Sequence, residues 1–456
     1  MRRRDRPFGL VGSQAFTLTR SLADLRQDSL AIIAAGVRAA DAGALTTRAL
    51  ARVRHTERAP TPGSGAARPR THVIAVGKAS TAMAQAAVTQ LGGELVDGLV
   101  IGPAASQLDS RLRQIVSGHP IPTTASEEAG RAALALAQSL PADDELLILL
   151  SGGSSALMAV PAEGLTLDDK QKTTSALLRA GADIHALNTV RKHLSAIKGG
   201  QLAAATRATV TLLAVSDVVG DDLGVIGSGP AVADGSRFAD ALEILRRYGG
   251  ERMFPQRVVQ RLTKGAAGDV PETPKPGDPR LARTHAEVIG SRRDAMDGAT
   301  TEASSRGYRV IRIDDAIVGE ARRVAASHLR AVLALARGLG RPLCVVSSGE
   351  TTVHVTGSGR GGRNQEFVLA AAELLNQTGS SIAIASAGTD GVDGPTDAAG
   401  AYADATTIDR ALAIGMRPDQ YLNENNSYPF FEALGDLIHT GPTRTNVGDL
   451  QVLLLA

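Results

Sequence analysis

Apolar residues in this chain come in short, nearly unbroken runs rather than in long amphipathic stripes. HVIAVG (72–77), GLVIG (98–102), ELLILLSGG (145–153) and TVTLLAVSD (209–217) each lead into a loop or an Ala/Leu-rich helical segment. RVIRI (309–313), LCVVSSG (343–349) and SIAIASAG (381–388) do the same later on, and LQVLLLA (450–456) closes the sequence. A strand apolar on both faces needs helices on both sides of its sheet, so the alternation predicts an α/β fold with mainly parallel sheets. Residues 265–284 interrupt the pattern with four prolines, three glycines and no periodicity, and strand–helix units flank them. That composition marks a boundary between two α/β domains. A second Pro/Ser/Gly-rich stretch, 58–70, separates an N-terminal helical segment from the first strand. The expected layout is a tail over 1–26, a first domain over 27–264, a linker over 265–284 and a second domain over 285–456.

Length and composition agree with this. At 456 residues the chain is long for one domain. Its 43% apolar and 21% charged content is that of an ordinary globular protein. A net charge of +2 gives no large footprint for nucleic acid or anionic membrane, so neither is expected as a partner. No run of 18 apolar residues argues for a span. The basic start, MRRRDRPFGLVGSQAF, lacks a continuous apolar core. The expected compartment is the cytoplasm, with an organelle transit segment as the alternative. The single cysteine, Cys344, lies in the run LCVV and reads as an inert buried thiol, which excludes a disulfide framework.

Ligands of open α/β sheets bind beyond the carboxyl ends of the strands, and four strand ends here carry unusual residues. Lys78 follows the first strand in VGKAS; His72 and Ala79 break the P-loop pattern, which leaves a functional ammonium or a snorkelling one. Ser151, Gly152, Gly153, Ser154 and Ser155 could expose consecutive N–H groups as an anion nest, or form a plain turn. Asp217 ends a strand where an acid can meet Mg²⁺ or a reacting hydroxyl, whereas Asp221 and Asp222 read as a solvated turn. In NTVRKHLSAIKGG (188–200), Asn188, Arg191, Ser195 and Lys198 recur at helical spacing, as a pocket wall or a wet helix face.

The fourth is SSGETTVHVTGSGRGGRNQEFVLA (347–370), in which Gly357, Gly359 and Gly362 spell G-x-G-x-x-G. The acid that should bind a dinucleotide ribose about 20 residues on is missing. Arg360 and Arg363 favour phosphate or carboxylate instead, with Gly359 and Asn364 as neighbouring candidates. Asp390, Asp393 and Asp397 punctuate the next glycine-rich loop and suit a Mg²⁺–phosphate site, with Asp390 and Asp393 as the metal candidates. An Asx-turn loop is the competing view.

VGKAS, LLSGGSSAL, NTVRKHLSAIKGG, SDVVGDDLGVIGSGP, SGETTVHVTGSGRGGRNQE, ASAGTDGVDGPTDAAG and TRTNVGDLQVLLL, in this order, resemble the glycerate 2-kinase family over roughly residues 27–456. The resemblance implies a Rossmann-like N-terminal domain, a C-terminal MOFRL domain and an active site in the cleft between them. It implies ATP-dependent phosphorylation of the 2-hydroxyl of D-glycerate with Mg²⁺, in a protein that could assemble as a homodimer. By motif it makes Lys78 and Arg363 the essential basic pair and Asp217 and Glu350 their acidic counterparts. An NAD(P)H-dependent hydroxypyruvate reductase, a name once used for the family, is the alternative activity. A non-catalytic sugar-acid sensor is a further one, although none of the four charged residues is missing.

Overall fold

A computed structural model describes residues 20–56, 69–378 and 381–456. The basic start of the chain and most of the 58–70 stretch lie outside the described residues. The strands are β1 (Thr71–Val76), β2 (Leu95–Gly102), β3 (Leu112–Val116), β4 (Glu145–Leu150), β5 (Thr209–Val215) and β6 (Thr284–Gly290). They continue as β7 (Arg309–Glu320), β8 (Leu343–Thr352), β9 (Ile382–Gly388), β10 (Gly400–Asp404), β11 (Leu437–Ile438) and β12 (Asp449–Leu455). Every apolar run singled out above is a strand.

The first six strands make one sheet in the order β3-β2-β1-β4-β5-β6, with every pairing parallel. Alternate residues serve opposite faces. Ile74, Val76, Ile148 and Leu150 enter one apolar cluster, and Val73, Ala75, Leu147 and Leu149 enter the other. Two buried faces are why these strands read as unbroken apolar runs. The order reverses between β1 and β4, which opens a crevice at their carboxyl ends.

The second sheet departs from the expected parallel arrangement. Its order is β11-β10-β9-β12-β8-β7, and only β7 with β8 is parallel. β12, the last strand, inserts between β8 and β9 and runs against both. Hydrophobic runs report burial of both faces, not strand direction, so the sequence could not show this.

The expected boundaries also move. Thr284–Gly290 pairs with β5 and completes the first sheet instead of opening the second half. The proline-rich segment before it is packed down: Thr273 Oγ1 donates to Asp234 Oδ2 at 3.0 Å, and Asp234 N donates to Pro274 O at 2.8 Å. At the other end, the helix Leu22–Ala39 begins inside the expected tail and covers the second sheet, not the first. Its Leu25, Ile32 and Ile33 bury against Cys344, Val346, Val452 and Leu454. Asp28 anchors it by accepting from Arg306 Nη1 at 2.6 Å and Tyr308 OH at 2.7 Å. Cys344 is fully buried there, and burial pushes its thiol up to about 12, as an inert side chain requires.

By length and composition alone the stretch Leu22–Val53 could cross a membrane, contrary to the reading above. In the structure Ala40 and Asp41 break it into two helices, and Leu25, Ile32, Leu45 and Leu50 pack against the rest of the protein.

Candidate active site

The carboxyl ends of β1, β4 and β5 face those of β8 and β9, and the charged candidates gather where they meet. Gly77, at a φ of 128°, turns the chain out of β1 hard against Ser151, so that a Cβ there would collide with the Ser151 side chain and carbonyl. Lys78 N then donates to Gly152 O at 2.9 Å. The Lys78 ammonium crosses to the other half and meets Asp390 Oδ2 at 2.8 Å. It does not snorkel away from the junction. Asp217, just past β5, lies under Gly152, whose missing side chain leaves room for the carboxylate. Asn446 Nδ2, from the second half, donates to Asp217 Oδ2 at 2.9 Å. Burial pushes the Asp217 carboxyl above the usual range, and nearby Lys78 and Arg363 pull the other way.

On the opposite side Arg363 is the first residue of the helix Arg363–Asn376. Its Nε and Nη2 form a fork on the fully buried carboxylate of Asp449, at 2.7 and 3.0 Å, and Nη1 donates to Glu350 Oε1 at 3.1 Å. Burial works against the guanidinium charge, but Asp449 and Glu350 outweigh it and hold its pKa above the ordinary value. The Glu350 carboxyl is raised by desolvation and lowered by Arg363.

Two cavities meet at this cluster. The larger, of about 690 Å³, runs from Lys78, His119 and Asp390 to the loop at Gly361 and Gly362. The smaller, of about 620 Å³, is walled by Gly152, Ser154, Ser155, Asn188 and Arg191. Gly153, Asp217, Glu350 and Arg363 line both. The four charged residues taken together from their motifs, Lys78, Asp217, Glu350 and Arg363, are thus brought to one junction.

Several sequence candidates have other partners. Ser151 is fully buried, and its Oγ accepts from Ala79 N at 3.1 Å. The helix expected over 188–200 stops at His193. Ser195 lies beyond it and bonds Val160 O, while Lys198 turns inward to Ser155 Oγ at 2.8 Å. The glycines of G-x-G-x-x-G serve packing. Gly357 and Gly359 press against the Glu424 backbone, and Gly359 N donates to Glu424 O at 2.9 Å. The N–H groups of Gly357 and Gly359 are thus bonded within the protein, while Gly359 also lines the larger cavity. Arg360 stacks 4.1 Å from the Tyr428 ring centroid and does not line either cavity. Asn364, 1% exposed, spends its side chain on Asp449, Asp393 and Ser386. Asp222 caps its own turn by accepting from Gly224 N, as expected of a solvated loop.

Asp393 has partners in the backbone. Its Oδ1 accepts from Asn364 N at 3.0 Å and its Oδ2 from Gln365 N at 2.8 Å. It caps the helix Arg363–Asn376 from across the loop, and burial pushes its carboxyl up to about 7 against those two bonds. The local Asx contact is made by Asp390, whose Oδ1 accepts from Val392 N at 3.1 Å. Among the described residues no group of three His, Cys, Asp or Glu could hold a metal ion. A Mg²⁺ carried in on a nucleotide needs only one or two carboxylates, since phosphates and waters supply the rest. Asp390 and Asp393 both line the larger cavity; Lys78 Nζ and Val392 N donate to Asp390, and the two helix N–H groups donate to Asp393.

Asp449, Asn446 and His119 escaped the sequence reading. The first two lie in TRTNVGDLQVLLL, where an Asn and an Asp bracket a glycine just before an apolar strand. That placement is the same strand-end signal that exposed Lys78 and Asp217, read here at a strand's start. His119 follows the short β3, and burial and Lys78 lower its pKa while Asp390 opposes them.

The capping role of Asp393 has a direct consequence. Asp393→Ala should lower stability by about 0.5–2 kcal/mol, the usual loss for a helix cap, and leave the Mg²⁺ concentration needed for turnover unchanged. Thermal melts with a Mg²⁺ titration check this; a metal ligand would show the reverse pattern.

Comparison with known proteins gives both halves relatives. The family model described as a domain of unknown function, DUF4147, matches residues 28–263, and the MOFRL family model matches 343–449. The D-glycerate 2-kinase of Thermotoga maritima is 41% identical over 393 residues, 85% of this chain and 91% of that one. A putative hydroxypyruvate reductase of Agrobacterium vitis is 39% identical over 397 residues, 85% of this chain and 88% of that one. The crystal structure of a glycerate kinase from Thermotoga maritima aligns with a TM-score of 0.82 at 36% identity, covering 95% of this chain and 100% of that chain. With a DUF4147 half joined to a MOFRL half and full-length relatives at this level of identity, the chain belongs to the glycerate 2-kinase family.

Proposed function

We propose that the protein transfers the γ-phosphoryl group of ATP to the 2-hydroxyl of D-glycerate, giving 2-phosphoglycerate and ADP. The observation that carries this is the convergence of Lys78, Asp217, Glu350 and Arg363 where two cavities join. Phosphoryl transfer asks a protein for alignment and charge neutralisation more than for covalent chemistry, and a junction between a donor lobe and an acceptor lobe offers both. The strand order 3-2-1-4-5-6 is that of a Rossmann-like sheet, whose ligands bind at the crevice between β1 and β4. Lys78 and Gly152 stand at that crevice.

In this reading the nucleotide occupies the larger cavity. Lys78 and Arg363 meet the charge that builds on the transferring phosphoryl group, and the Arg363 fork on Asp449 keeps the guanidinium oriented while it does so. Asp217 accepts the proton of the 2-hydroxyl, and Asn446 holds its carboxylate in place. Glu350 positions Arg363 from the other side. Asp390 would hold the Mg²⁺ that accompanies ATP, and that ion supplies further neutralisation of the phosphates. The acid occupies the smaller cavity. With both ligands in place the junction is closed to water that could otherwise take the phosphoryl group. The glycerate kinases among the relatives favour this reading over the reductase alternative. We further propose a cytoplasmic enzyme of small-molecule substrates.

Incubation with ATP, Mg²⁺ and D-glycerate should yield 2-phosphoglycerate, whereas hydroxypyruvate should not oxidise NADH. Lys78→Ala should fold and lose roughly 10³-fold in kcat/KM, the scale of a lost charge contact to a transition state. NADH oxidation without phosphoryl transfer would reverse the assignment.

A base must be ionised to work. Because the Asp217 carboxyl is raised, kcat/KM should fall with decreasing pH along a limb centred above the ordinary aspartate value of about 3.9. Asp217→Asn should cost about 10²–10⁴ in kcat and abolish that limb. A limb that persists in the variant assigns the base elsewhere.

A further inference from the structure

The wall of the smaller cavity carries a guanidinium that no acid pairs with. Arg191, in the last turn of the helix Ile184–His193, lines the cavity and forms no hydrogen bond or ion pair among the described residues. Behind it Lys198, 3% exposed, is held only by neutral oxygens: Ser155 O at 3.0 Å, Ser155 Oγ at 2.8 Å and Gly227 O at 3.3 Å. Lys170, 7% exposed, has Val160 O at 3.4 Å. The three cations act on one another, and Glu127, the acid that acts on Lys170, is already paired with Arg131 at 2.5 Å. Burial lowers all three, Arg191 to about 10 and Lys170 to about 7. Burial of this kind disfavours the charged forms, and an anion in the cavity would favour them again.

A second observation points the same way. The Nδ2 of Asn188 and the Oγ of Ser154 are buried without a hydrogen-bond partner, and both residues line this cavity beside Arg191. Asn188 and Ser154 are each 3% exposed. The amide is held in that orientation because Ser228 Oγ donates to Asn188 Oδ1 at 2.8 Å. Buried donors of this kind ordinarily find an acceptor. The carboxylates of the cavity, Asp217 and Glu350, sit at its junction end and are engaged by Asn446 and Arg363.

We propose that Arg191, Asn188 Nδ2 and Ser154 Oγ form the subsite for the carboxylate of the hydroxy-acid acceptor, with Lys170 and Lys198 buried behind it. Naming the anion as the acceptor's carboxylate rests on the phosphotransferase reading; the anion site itself rests on the unpaired Arg191 and the two unpartnered donors. The placement also accounts for the position of transfer. The 2-hydroxyl is borne by the carbon next to the carboxylate, so an acid gripped at Arg191 turns that hydroxyl, rather than the terminal one, toward Asp217 at the junction. A neutral polyol gains nothing from the subsite.

Isothermal titration of D-glycerate, with and without a nonhydrolysable Mg²⁺–ATP analogue, tests this in the wild type and in Arg191→Ala. The variant should bind glycerate roughly 10–100-fold more weakly, as expected for a lost charge-assisted contact, and hold the ATP analogue within about twofold of wild type. Weakened analogue binding with glycerate unaffected would make the subsite a phosphate site, and no change in either would end the proposal. Melting curves check the fold. If Arg191→Ala does not fold, Ser154→Ala, which removes one unpartnered hydroxyl, should still weaken glycerate selectively. Should glycerate bind in an Arg191-dependent way while no phosphoryl transfer occurs, the kinase reading fails and the carboxylate subsite stands.

Discussion

The junction depends on one buried carboxylate. Asp449 has no exposed side-chain surface and accepts from Arg363 Nε, Arg363 Nη2 and Asn364 Nδ2. An acid in such a place is tolerated only when its lone pairs are satisfied, and here the partners are the first two residues of one helix. The register makes room for it. Asp449 opens β12 opposite Gly349 of β8 and Gly388 of β9, so neither neighbour carries a side chain at that level. Because β12 lies between those strands, the fork ties the sheet's centre to the start of the helix Arg363–Asn376. A guanidinium at a helix start would ordinarily face an unfavourable dipole of about 0.3–1 kcal/mol. The Arg363 fork on Asp449 offsets that.

The two halves are then joined through the same groups that face the cavities. Lys78 reaches Asp390 and Asn446 reaches Asp217, one polar contact in each direction. Apolar packing joins them as well: Val447 of the second half shares a buried cluster with Leu45, Val73 and Leu147 of the first. The helix Leu22–Ala39 adds a covalent reason for the halves to stay together. It is the first described helix of the chain and yet packs on the last sheet, and Thr445 Oγ1 donates to the Ala40 carbonyl at 2.5 Å where the chain turns back.

Much of this was legible in the sequence and some could not have been. Strand positions followed from apolar runs, and Lys78 and Asp217 followed from a charge placed where such a run stops. Direction did not follow, because β8, β9 and β12 are buried on both faces whichever way they run. The glycine loop misled for a related reason: Gly357 and Gly359 are required by the close approach of Glu424, a contact 65–67 residues away in sequence. Asp393 looked like a metal ligand because a glycine-flanked acid at a strand end suits both a cation and a helix cap. The cap becomes visible only with the position of the helix Arg363–Asn376.

The account holds that donor and acceptor occupy different cavities and meet at Asp217, Lys78 and Arg363. A crystal structure with a nonhydrolysable ATP analogue, Mg²⁺ and D-glycerate bound together tests it most directly. The 2-hydroxyl oxygen should lie about 2.6–3.2 Å from an Asp217 carboxylate oxygen, with the terminal phosphate between it and the larger cavity. A complex in which both ligands share one cavity, or in which Asp217 contacts neither, would contradict the account.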